Sequence, residues 1–145
     1  MDNKDFKKIV SDELINVGFI FKNKKYYCDT KKLTAVIDLQ KSDLFDAWYI
    51  NYGFYVKDIH EEIKLYPKIS ECDIDTSFSN ELIDANGGAI PLSLDQETIR
   101  MCIKEELKQI ILPVVDNGVE VFFDIVPDGI CLAKKRLKDY LGIDN

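Results

Sequence analysis

Six residues carry polar or aromatic side chains at spacings that could support chemistry or recognition: Gln40, Ser42, Tyr49, Asn51, Asp73 and Asp75. Asp73 and Asp75 alternate, so on a strand their carboxylates share one side, about 7 Å apart. With Asp38 from a neighbouring strand they would form a carboxylate patch. Such a patch binds a divalent cation or does acid–base work. The plainer reading is the wet face of an antiparallel sheet, where alternate polar residues are expected anyway. Gln40, Ser42 and Asn51 are neutral polar groups near one hairpin. If Gln40 and Asn51 share the outer face with Tyr49 and Tyr55, they make a platform of amides and rings suited to partner or ligand recognition. In the competing reading the two amides satisfy loop backbone groups and keep the sheet in register. Gly53 marks a bulge or a close backbone approach.

Other chemistry is excluded by what is missing. His60 is the only histidine, so a two-histidine metal site lacks its second ligand. A Ser-His-Asp triad would have to use it, and no Gly-x-Ser-x-Gly elbow presents a serine. His60 sits in Asp58-Ile59-His60-Glu61-Glu62, whose carboxylates favour imidazolium, the wrong form for a resting base. It is expected to be a solvated helix or loop histidine. Asn86-Gly87-Gly88 lacks the Gly-Lys-Ser/Thr ending of a phosphate loop and reads as a surface turn. Cys28, Cys72, Cys102 and Cys131 include no CxxC pair and are expected as reduced, buried, small apolar side chains. No catalytic residue, metal site or cofactor is expected.

The elements that must position these residues follow from periodicity. Phe6, Ile9, Val10, Leu14 and Val17 give an amphipathic helix over 3–17, stopped by Gly18. Residues 19–21 and 26–28 flank Asn23-Lys24-Lys25 as a hairpin. Residues 33–40 and 48–56 alternate like strands and must pair antiparallel, because the polar loop Lys41–Asp46 is too short for a crossover. A fifth strand is expected over 72–78. Ser93 and Gln96 stand in capping-box register before a helix whose face is Ile99, Ile103, Leu107, Ile110 and Ile111. Pro113 is expected to end or kink that helix. Residues 117–126 fit a strand or a short helix equally well. Ile130, Leu132, Ala133, Leu137 and Leu141 predict a last helix, stopped by Gly142. The fold class is α+β: an N-terminal helix, an antiparallel sheet of four to five strands, and C-terminal helices packed on one face. One domain is expected over 1–145.

Net charge is −7, which argues against a nucleic-acid binder. The longest apolar run, Ile110–Val115, contains Pro113 and is far too short for a membrane span. The N-terminus shows no export signal, and Tyr140–Asn145 shows no lipidation signal, so a cytoplasmic protein is expected. Residues 1–32 hold eight lysines against five acids, whereas residues 58–97 hold ten acids against two lysines. An acidic surface steers basic partners, although it also serves simple solubility.

Leu39-Gln40-Lys41-Ser42, followed by Tyr49-Ile50-Asn51-Tyr52-Gly53, resembles the signature of a family of small bacterial proteins, the domain-of-unknown-function 4304 family (DUF4304). Val17-Gly18-Phe19, the pair Tyr26 and Tyr27, and Glu71-Cys72-Asp73-Ile74 are similar to it too, over most of residues 1–80. The resemblance implies a small α+β domain and carries no activity, cofactor or catalytic residue with it. Two functional expectations follow. The first is a non-enzymatic module that binds a protein partner, in one version an immunity-type inhibitor of a basic toxin. The alternative is a small hydrolase or metal-assisted enzyme built on Asp38, Asp73 and Asp75.

Overall fold

Phe6, Ile9, Val10 and Leu14 recur at helical spacing, and in the computed structural model, which describes residues 1–143, they are the buried face of helix α1 (Asn3–Asn16). Asp2 caps it, its carboxylate accepting from the Asp5 N–H at 2.8 Å. Strands β1 (Ile20–Lys22) and β2 (Lys25–Asp29) are joined by Asn23 and Lys24 at φ 53° and 64°. Positive φ at both positions is type I′ geometry, which matches the twist of a hairpin.

β3 (Leu33–Lys41) and β4 (Ala47–Val56) pair without a break from Leu33↔Val56 to Lys41↔Trp48. β5 (Ile74–Ser77) joins β4 along Asn51–Phe54, and the two-residue β6 (Ile90–Pro91) joins it at Ala47 and Trp48. The sheet is antiparallel throughout, in the order β1-β2-β3-β4-β5 with β6 also on β4. Gly53 marks no bulge. It allows close approach, since a Cβ there would stand 2.9 Å from the Cβ and Sγ of Cys72.

Ala35 and Ile37 of β3 and Ile50, Tyr52, Phe54 and Val56 of β4 share one core with α1, with Ile83 of α2 (Glu81–Ala85) and with Ile99 and Ile103 of α3 (Gln96–Glu106). The Phe6 ring stacks on Trp48 at 5.6 Å, and Phe54 meets Phe122 edge-on at 6.0 Å. Each such buried side chain contributes about 1.5–3 kcal/mol. Phe122 lies on a helix, Glu120–Ile125, so the ambiguous stretch 117–126 is helical where it packs.

Three local expectations are corrected. The cap of α3 is Asp95, which accepts from the Thr98 N–H at 2.8 Å; Ser93 does not start the helix. Pro113 does not end the helical run. A π-helical turn, Leu107–Ile111, follows α3 and runs directly into the next helix, Leu112–Asn117, so Pro113 comes just after a widened turn rather than at a helix end. The last helix is not continuous from residue 130. A 3-10 turn, Gly129–Leu132, precedes the helix Lys135–Leu141, and Ala133 between them pairs with Ile74 of the sheet.

Cys72 and Cys102 are buried and free, but Cys28 is half-buried and Cys131 is exposed, contrary to a uniformly buried set. No described helix is long and apolar enough to cross a membrane. Of the C-terminal stretch Tyr140–Asn145, Asp144 and Asn145 lie outside the described residues.

Candidate functional site

The face of the sheet turned away from the helices is divided. Its lower half is roofed by the segment 57–72, which buries Tyr27, Val36, Tyr55 and Cys72 against Ile69. The other half is open and holds the residues that periodicity placed together. Asn51 donates from Nδ2 to Gln40 Oε1 at 3.1 Å, and Ser77 Oγ donates to Asn51 Oδ1 at 2.6 Å. Asn51 lies opposite Ser77, while Gln40 pairs with Tyr49, so this polar chain crosses β3, β4 and β5. Tyr49 is half-buried beside it. Asp38 and Asp75 line a shallow depression of about 680 Å³ on the same face, together with Lys25, Lys68 and Lys134.

Beyond the platform, the β3–β4 hairpin ends in an ordered, apolar tip. Ser42 is buried, and its Oγ accepts from the N–H of Leu44 at 3.2 Å and of Phe45 at 3.3 Å. Lys41 and Asp46 close the base with an ion pair at 2.6 Å, and the Lys41 ammonium lies over the Trp48 ring. The tip so held leaves Leu44 84% and Phe45 59% exposed. Ser42 therefore shapes the tip through backbone hydrogen bonds.

Asp73 stands apart from the other two carboxylates. It precedes β5, is 0% exposed, and meets three donors from three parts of the chain. Val56 N–H donates to Oδ2 at 2.7 Å, His60 Nε2 lies 3.0 Å from both oxygens, and Arg136 Nε donates to Oδ1 at 2.5 Å. Arg136 also donates to the backbone carbonyls of Glu71 and Cys72 at 3.0 and 3.1 Å. Burying a carboxyl group without such partners would be costly.

The structure thus does not bring Asp38, Asp73 and Asp75 into one shell. Asp73 is enclosed with its own cation, while Asp38 and Asp75 face solvent. Among the described residues no group of three or more His, Cys, Asp or Glu is arranged to hold a metal ion. His60 is likewise not a solvated histidine. Its ring stacks on Tyr55 at 4.1 Å and 8° while its Nε2 meets Asp73. Beside it, burial and the Asp73 charge push the Cys72 thiol up to about 12, too high for a thiolate nucleophile at neutral pH.

The acidic stretch is not one continuous surface. Asp73 is interior, Glu71 pairs with Lys64, and Asp58 accepts from the Tyr140 hydroxyl at 3.0 Å.

Two features were not read from the sequence. Arg136 lies 63 positions from Asp73, and nothing in local periodicity joins them. Leu44 and Phe45 stood inside a loop described only as polar, although two adjacent apolar residues between Asp43 and Asp46 were a visible signal.

No curated protein and no solved structure matches the chain. One family model does, over residues 10–117, which take in the platform, the hairpin tip and Asp73. By that match the chain belongs to the family described as a domain of unknown function, DUF4304.

Proposed function

We propose that this chain is a protein-binding module that engages its partner through the β3–β4 hairpin tip and the open half of the outer sheet face. The observation that carries the reading is the exposed pair Leu44–Phe45 on a turn fixed by Ser42 and by the Lys41–Asp46 pair. A loop with nothing to bind gains little by holding a leucine and a phenylalanine in water. Exposed apolar side chains rimmed by polar ones are the usual make-up of an interface core. Gln40, Tyr49 and Asn51 supply the adjoining rim, and Asp38 and Asp75, interspersed with Lys25, Lys68 and Lys134, a margin of mixed charge. Because the turn is ordered before binding, little conformational entropy is lost on docking.

The net charge directs the module toward a basic partner, and an inhibitor of a basic toxin is one such role. Affinity capture from cells with the wild-type chain and with a Leu44→Ser/Phe45→Ser double variant tests the reading. A partner held by the wild type and lost by a variant that melts at the same temperature is the expected result. Identical captured sets would sink the proposal. For a partner so found, an association rate that does not change up to about 1 M salt would remove the electrostatic part alone.

A further inference from the structure

On the helix side of the sheet, at the edge formed by β5, lies a cavity of about 350 Å³ between the end of α3 and residues 125–132. Ile110, Val126 and Leu132 form an apolar part of its wall, Thr76, Ser77 and Ser79 a polar part, and Glu106 and Tyr52 stand among them. Glu106 and Tyr52 are each only 3% exposed. Glu106 Oε2 accepts from the Ser79 N–H at 2.5 Å. Its Oε1 and the Tyr52 hydroxyl hydrogen-bond to no other described residue, and neither is sealed from the cavity. Both oxygens are therefore open to donors from a guest in the cavity. The charges acting on Glu106 are the carboxylates of Glu105 and Asp84, so the local field favours a cation. The helix also widens into its π turn at the residue after Glu106, and such turns concentrate at functional sites.

We propose that this cavity is a binding site for a small primary amine, its ammonium held by Glu106 and Tyr52 and its short apolar body lying along Ile110, Val126 and Leu132. An ammonium offers three donors and no acceptor, which suits two acceptor oxygens in one wall. The volume is near the lower end of small-molecule sites, about 300–1,000 Å³, so a single ring or short alkyl chain fills it. The site is independent of the hairpin, because the two lie on opposite faces of the sheet.

Burial pushes the Glu106 carboxyl up to about 7, opposed by the Ser79 N–H and reinforced by Glu105 and Asp84. The amine selects the ionised carboxylate, so affinity rises as that proton leaves. Benzylammonium chloride titrated into the full chain, followed by two-dimensional amide NMR near pH 8, is the test. Saturable shifts at Ser79, Ile110 and Leu132 are expected, with binding about tenfold weaker near pH 6. Glu106→Gln is expected to abolish binding, and Tyr52→Phe to weaken it about fivefold. Leu132→Trp fills the mouth without altering charge and is expected to block binding as well. Absence of saturation in the wild type overturns the proposal. So does equal binding of neutral benzyl alcohol, or undiminished binding by folded Glu106→Gln and Leu132→Trp chains.

Discussion

Glu106 and Asp73 are both buried carboxyls, and their neighbours give them opposite consequences. Among the described residues Glu106 meets one backbone N–H and no cation, so burial dominates and lifts it to about 7. The folded chain keeps this proton where the unfolded chain, titrating near 4.5, has released it. The associated stability is present at low pH and is lost as the pH rises through about 7. Glu106→Gln keeps an acceptor for Ser79 and removes the titration. Near pH 8 that variant should be more stable than the wild type by on the order of 2 kcal/mol, with the advantage gone near pH 4. Urea midpoints at the two pH values check this, and an equal difference at both contradicts it. Asp73 has the Arg136 guanidinium and His60 instead. Asp73→Asn leaves both facing a neutral amide and should cost about 3 kcal/mol, whereas Asp75→Asn, in the open depression, should change stability by less than about 0.5 kcal/mol. Chemical denaturation of the pair distinguishes a buried network from a surface contact. The sequence showed that both aspartates alternate with apolar residues. It did not show which would find a cation, because that depends on Arg136, far along the chain.

The elements were more legible than their ends. Alternation at 33–40 and 48–56 identified the central strands, because a sheet with one face on a core imposes that period on its residues. It lost its hold where tertiary pairing decided the matter. Ala133 leaves the helical period to pair with Ile74, and the π turn carries the helix past Pro113. Ser93 lost to Asp95 as the cap of α3, two acceptable capping residues lying two positions apart. The β1–β2 turn offers a test on this scale. Type I′ geometry requires positive φ at both central residues, and Lys24 accepts φ 64° with a Cβ in the way. Lys24→Gly relieves that strain and should raise stability by about 0.5–1 kcal/mol, while Asn23→Val should lower it by more than about 1 kcal/mol. Thermal melts of the two variants moving in the same direction would refute the turn assignment.

Taken as a whole, the molecule is one sheet with helices on one face and, on the other, a roof over half its area. The roof hides Cys72, the helix side hides Cys102, and Cys131 stays outside. Thiol labelling of the folded chain should therefore find Cys131 fast, Cys28 slower, and Cys72 and Cys102 released only on unfolding. Simultaneous labelling of all four would mean that the roof opens freely. The surface proposed for recognition was half legible. The amide chain of Gln40 and Asn51 follows from strand parity, whereas the fixed apolar tip depends on Ser42 turning its hydroxyl onto the Leu44 and Phe45 N–H groups, which no periodicity encodes. The roof itself is fastened from the far end of the chain: Arg136 to Asp73, the Lys134 ammonium to the Ser70 carbonyl at 2.6 Å, and Tyr140 to Asp58. This has a consequence for biosynthesis. At about 5–20 residues per second, the ribosome needs about 3–13 s to advance from Asp73 to Arg136. Throughout that interval the nascent sheet carries a carboxylate with no guanidinium to meet it, so β1–β4 can assemble early while closure of the roof waits until the last helix has emerged.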